Sequence, residues 1–163
     1  MANYKLILDD DFREDFILIA IHCSVEAYKM AYLLNKHLRL RLKRRPVDLD
    51  FSIDGLEITF PRYEFEDETD YISYNLLANK CKTERARTVA SGGLFGNTKA
   101  GEIITEYLIP ENKQVDYYLK IFSDDDKVPL RKMLAQINEI NEVISAYTAD
   151  TEKLKSKNNL IFD

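Results

Sequence analysis

Two acids flank a short polar turn in the stretch EYLIPENKQVDYYLKIF (Glu106–Phe122): Glu111 and Asp116. A third, Asp15, heads the first apolar run. Carboxylates brought close together split their pKa values, so that one holds a proton while the other is ionised, and that split is the basis of acid–base catalysis. The same residues also stand at strand ends, where they accept hydrogen bonds from nearby backbone N–H groups. No His, Lys or Ser motif accompanies these acids, and the strand-end role is the expectation for Asp15 and Asp116. Glu111 stands on a turn with no structural duty that the sequence assigns.

His22 and Cys23 adjoin where the first apolar run gives way to a helical pattern. A cysteine near a helix N-terminus can have a lowered pKa. Neighbours on a strand point to opposite faces, however, so His22 is badly placed to activate Cys23. His37 is the only other histidine and Cys81 the only other cysteine, too few for a usual metal centre. The glycine-bearing stretch ASGGLFGNTK lacks the Gly-Lys-Ser/Thr ending of a phosphate-binding loop. No catalytic residue, cofactor or metal is therefore expected. The enzymatic alternative is a non-standard site near His22, Glu111 and Asp116, which requires those three side chains to converge.

The strongest charge feature is basic. Lys29, Lys36, Arg39 and Lys43 fall on one face of an extended helix, Arg41, Arg44 and Arg45 crowd its end, and no acid lies between Glu26 and Asp48. The candidate binding surface is Lys29, Lys36, Arg39, Lys43, Arg44 and Arg45. It can meet phosphates of RNA or a nucleotide, or an acidic protein. Glu64 to Asp70 carry five acids, so a second copy of the chain could supply that partner. The bland alternative is a solvated helix end whose cations suit the dipole. Stacking aromatics, the usual companions of single-strand binding, do not interleave with the basic residues.

The elements that must position these residues follow from periodicity. DFILIAI (Asp15–Ile21) is short, apolar and β-branched, which predicts a buried strand. From Ser24, a candidate cap, Ala27, Ala31, Leu34, Leu38 and Leu42 recur at helical spacing, and the helix must stop by Pro46. VDLDFSIDGLEITF alternates apolar and polar residues on both sides of Asp54-Gly55. A two-residue loop there sets Ile53 opposite Leu56, Phe51 opposite Ile58 and Leu49 opposite Phe60. RYEFEDETDYISYNLLANK predicts further strands around a polar turn near residues 66–69. Lys80–Ala100, with three of the five glycines, reads as a long polar loop, or as a short helix plus a loop. Ile103–Ile109 and Val115–Phe122 predict a hairpin turning at Pro110–Gln114. SDDDKVPLRKMLAQINEI is a second helix with Leu130, Leu134 and Ile137 as its apolar stripe, EVISAYTA a last strand, and residues 150–163 a tail that docks on the body.

DFILIAIHCSVEAYKMAYLLN echoes DYYLKIFSDDDKVPLRKMLAQIN: acid, aromatic, strand, turn, helix, Asn. Two β-α-β units with extra strands between them predict an α+β, ferredoxin-like fold, a mainly antiparallel sheet with both helices on one face. With 163 residues, one domain spanning 1–163 is expected. A net charge of −5 carries no global attraction to nucleic acid or anionic membrane. The first residues, MANYKLILDDDF, lack the basic-then-apolar order of a signal peptide, and no apolar run is long enough to span a membrane, so a cytosolic location is expected.

Ile109-Pro110-Glu111 followed by Val115-Asp116-Tyr117 resembles the signature of the bacterial IPExxxVDY family. DFILIAIH, AYLLNK, GLF and LKSKNNLIF are similar to it as well, so the resemblance covers nearly the whole chain. It implies a single compact domain and no particular activity, and it carries over no catalytic residue. The expectation from the residues is a binding or regulatory module whose partner is another protein or a second copy, with RNA binding through the basic helix as the alternative.

Overall fold

A computed structural model describes residues 15–53, 56–85, 102–125 and 127–162. In chain order the strands are β1 (Ile17–Cys23), β2 (Lys43–Arg44), β3 (Leu49–Ile53), β4 (Leu56–Phe60), β5 (Arg62–Asp67), β6 (Ile72–Ala78), β7 (Lys80–Arg85), β8 (Glu102–Tyr107), β9 (Tyr117–Ser123) and β10 (Val143–Thr148). Helix α1 (Ala27–Leu38) follows β1 and helix α2 (Leu130–Asn138) follows β9. The chain is mixed α and β, with an antiparallel six-stranded sheet in the order β10-β1-β9-β6-β5-β2 and two separate pairs, β3-β4 and β7-β8.

The apolar runs of β1 and β9 are explained by their place at the centre of that sheet, where both faces are covered. Ile19 and Ile21 of β1, Leu76 of β6 and Leu119 of β9 face Met30 and Leu34 of α1 and Ile137 of α2. Leu18 and Ala20 point the other way, with Leu77 and Tyr118, into a second core closed by Ile58 and Phe60 of β4, the signature's Ile109 and Val115, and Leu154 and Leu160 of the C-terminal segment. The result is helices on one face and paired strands plus tail on the other. Full burial of a leucine or isoleucine stabilises by roughly 1.5–3 kcal/mol, so strands with two buried faces dominate the fold's energetics.

The β3-β4 pair has the expected register, Leu49 opposite Phe60, Phe51 opposite Ile58 and Ile53 opposite Leu56. Asp54 and Gly55 lie outside the described residues. The polar turn falls between β5 and β6, at residues 68–71.

Three expectations are corrected. First, α1 ends at Leu38, because Arg39 takes a left-handed conformation (φ 58°, ψ 34°). Asn35 then captures the returning chain through both amide atoms, accepting from Leu42 N–H at 2.8 Å and donating to Leu42 C=O at 3.0 Å. Leu42 is buried as its helical spacing suggested, but by doubled-back chain rather than by another helical turn. The helix carries no side-chain cap bond, and its N-cap is Glu26, not Ser24. Second, Lys80–Arg85 is strand, paired along its length with β8. Among the described side chains of β7, Cys81 alone packs on the second core, so periodicity gave little sign of the strand. Residues 86–100 of the expected loop lie outside the described residues. Third, Glu106–Phe122 is not a hairpin: β8 pairs with β7, while β9 lies between β1 and β6.

Candidate functional site

The signature segment is a clamp between the two cores. After β8, Leu108 and Ile109 are buried, and Pro110–Asn112 forms one turn of 3₁₀ helix. Proline suits the first position of such a turn, where its missing N–H costs nothing. Val115 is buried and the chain enters β9 at Tyr117. At the centre lies Asn79, fully buried between β6 and β7. Its amide donates to Asn112 C=O and Val115 C=O, each at 2.9 Å, and its oxygen accepts from Ile109 N–H at 2.8 Å. Its backbone donates to Asp116 C=O and accepts from Leu108 N–H, both at 2.9 Å. A buried backbone group needs a partner, and this one side chain supplies three. Sequence reasoning passed over Asn79; its only signal is an asparagine directly behind the apolar run ISYNLLA.

Each polar signature residue has a structural bond. Asp116 accepts from Cys23 N–H at 2.9 Å and holds Lys80 at 2.7 Å, so it closes the end of β1. Tyr117 donates its hydroxyl to Val25 C=O at 2.6 Å, tying β9 to the β1–α1 turn, and burial pushes its pKa up. Glu111, without a duty in the sequence, accepts from Ser156 N–H at 2.8 Å and from the Ser156 hydroxyl at 2.9 Å. Desolvation raises its pKa, but the hydrogen bonds from the backbone of Ser156, Glu111 itself and Lys155 and from the Ser156 hydroxyl prevail and hold the carboxyl below its usual range. Glu111 thus anchors the C-terminal segment, which Asn159 also secures by donating to Leu108 C=O at 2.8 Å.

Beside this clamp is an open cleft of about 340 Å³, lined by Cys23, Ser24, Glu26, Lys80, Asp116 and Tyr117 among others. It contains the residues nearest to a reaction centre. The Cys23 thiol lies 3.7 Å from Met30 Sδ, and burial, with the Asp116 charge, pushes its pKa up to about 11 against the backbone of Val25 and the charge of Lys80. A neutral, buried thiol is a poor nucleophile. His22 points away from it, stacking on Tyr147 with Nε2 3.1 Å from the tyrosine hydroxyl. His22, Glu111 and Asp116 therefore have separate partners, Tyr147, Ser156, and Cys23 with Lys80, and neither His22 nor Glu111 lines the cleft. Among the described residues no group of three or more His, Cys, Asp or Glu is arranged to hold a metal ion.

The basic candidates disperse. Only Lys29 and Lys36 are on α1; Arg39 caps it, and Lys43 and Arg44 are β2, paired with Glu64 and Tyr63 of β5. Arg44 is salt-bridged to Asp48 and stacks over Tyr63, and Arg45 pairs with Glu64 at 2.9 Å. Glu64, one of the five acids considered for a partner copy, is thus engaged within its own chain. Lys29 reaches Glu142 at 3.8 Å. The aromatics missing from the basic run are on the helix itself: Tyr28 and Tyr32 point into solvent, 64% and 62% exposed.

No protein-family model matches the chain, and neither a curated protein nor a solved structure matches it.

Proposed function

We propose that this chain is a non-catalytic interaction module of ferredoxin-like outline, a member of the IPExxxVDY family, which works in the cytoplasm by engaging another protein, in the first instance a second copy of itself. What supports the outline is the order β10-β1-β9-β6, with α1 leaving β1 and α2 leaving β9 on the same face. β5 and β2 then extend the sheet at the β6 edge. No helix among the described residues is long and apolar enough to cross a membrane.

The observation that carries the non-catalytic reading is the clamp. Glu111, Asp116 and Tyr117 are each committed to a backbone group of a different segment, and the thiol beside them is held neutral. Reactive groups are free to meet substrate; these hold the chain together. Support for self-association comes from β10, an outer strand whose sequence VISAYT holds no charge and no proline, two of the devices that blunt an edge. A bulge opposite His22 and Cys23 sets Ile144 outward, 78% exposed, and Tyr147 is 46% exposed beside it.

Light scattering across a range of concentrations tests this reading. Wild type is expected to move from one-chain to two-chain mass as concentration rises, and Ile144→Lys to stay at one. A wild-type mass fixed at one chain, or a dimer indifferent to Ile144→Lys, refutes pairing through β10. Native-state alkylation tests the other half: Cys23 should react with iodoacetamide at neutral pH far more slowly than in urea. Equal rates overturn the inert-thiol argument.

A further inference from the structure

The solvent face of α1 bears a row that the dimer reading leaves unused. Tyr28, Tyr32 and Lys36 stand at i, i+4 and i+8, so they form one ridge along the helix, spaced about 6 Å apart along its axis. All three are exposed. Arg39 closes the helix at the end of the same row, and Arg41 and Lys43 follow, all exposed. Unlike Arg44 and Arg45, none of Lys36, Arg39, Arg41 and Lys43 has an ion pair among the described residues. No acid occurs from Ala27 to Val47. The chain's net charge is −5, so this positive stretch is a local feature set against an acidic body.

Exposed aromatic rings cost solvation, and four unpaired cations in eight residues repel one another. Both are relieved by a ligand that offers flat π faces and negative charge at short repeat. We infer that the α1 face binds single-stranded nucleic acid, bases stacking on Tyr28 and Tyr32 and phosphates meeting Lys36 and Arg39, with Arg41 and Lys43 extending the track. Stacking on tyrosine is tolerant of base identity, and phosphate contacts carry no sequence information. Nothing in the row reads a sugar hydroxyl, so RNA and DNA single strands bind alike. A duplex, whose bases are already stacked on each other, binds less well. The acidic tip between β5 and β6 (Glu66, Asp67, Glu68 and Asp70) is the competing occupant, offering charge but only the exposed Tyr71 to meet the tyrosines.

The test is fluorescence anisotropy of the full chain with labelled oligouridylate, the matching DNA single strand and a duplex, over a series of salt concentrations. Single strands are expected to bind within a few-fold of each other, with log Kd rising against log salt at a slope of roughly 2–3, as three or four phosphate contacts require. Tyr28→Ala/Tyr32→Ala should weaken binding at least tenfold at unchanged slope, at about 1–3 kcal/mol for each stacked base. Tyr28→Phe/Tyr32→Phe should restore it. Lys36→Glu/Arg39→Glu should weaken it and lower the slope by about 1.4. All these positions are exposed, so an unchanged melting temperature confirms that the fold survives. Ile144→Lys should bind as wild type does, which separates this surface from the β10 edge. The inference is overturned by no binding at low salt, by equal binding of the duplex, or by affinity indifferent to the tyrosine pair. It is equally overturned if Lys36→Glu/Arg39→Glu abolishes a salt-sensitive self-association while no oligonucleotide binds.

Discussion

Replacing Asn79 by alanine is the most direct test of the clamp. The change removes three side-chain hydrogen bonds, to Ile109 N–H, Asn112 C=O and Val115 C=O. Their losses are unequal. Asn112 C=O keeps the bond it accepts from Val115 N–H at 3.1 Å, so it stays satisfied. Ile109 N–H and Val115 C=O belong to residues 0% and 2% exposed and have no water to turn to. Each orphaned buried group costs about 1–3 kcal/mol, so the variant should lose roughly 2–6 kcal/mol, a large part of the 5–15 kcal/mol typical of a domain. With a urea m-value of about 2 kcal/mol/M, the midpoint should fall by roughly 1–3 M at unchanged slope. Asn79→Asp keeps the shape and the acceptor for Ile109 N–H, but it forfeits both donations and buries a charge, so it should be no milder at neutral pH. A loss below about 1 kcal/mol for Asn79→Ala, with unchanged m-value, would refute the clamp as described.

Glu111→Ala should release the C-terminal segment at a cost of about 1 kcal/mol, seen as faster amide exchange at Ser156–Leu160 while β1 and β9 stay protected; unchanged exchange there would refute its anchoring role. Tyr117→Phe should cost about 1 kcal/mol by orphaning Val25 C=O, read from the melting temperature. Comparing pH profiles with and without the thiol isolates Cys23 from the tyrosines that burial also raises. Its pKa is higher folded than the ordinary 9.0, so the stabilisation is complete below pH 9 and is lost as pH rises through about 11. Two pKa units correspond to about 2–3 kcal/mol, and Cys23→Ala should flatten that part of the alkaline decline in denaturation midpoints. Identical slopes in the two proteins above pH 9 would remove the thiol as the cause.

What was legible in the chain was what short-range physics controls. The β3-β4 register followed from alternation on either side of a two-residue loop, since a slip by one residue would turn Phe51, Ile58 and Phe60 out of the core. Strand β1 and both helices announced themselves by their apolar periods, and the strand-end role of Asp116 by residue type and position. The limits of α1 were not legible: Leu38 and Leu42 keep helical spacing, but the left-handed Arg39 and the Asn35–Leu42 bonds turn the chain back. Tertiary structure alone decided that the two halves of EYLIPENKQVDYYLKIF part company. Adjacent segments with a turn between them satisfy the local rules for a hairpin. β9, however, is buried on both faces, Lys120 included, and so lies inside the sheet, with β1 and β6 as neighbours and β8 left to the polar β7. Glu111 acquired its duty the same way, from Ser156, 45 residues further along the chain. Carboxylates and amides bond whatever backbone the packing brings near, and that choice is made by burial over the whole chain.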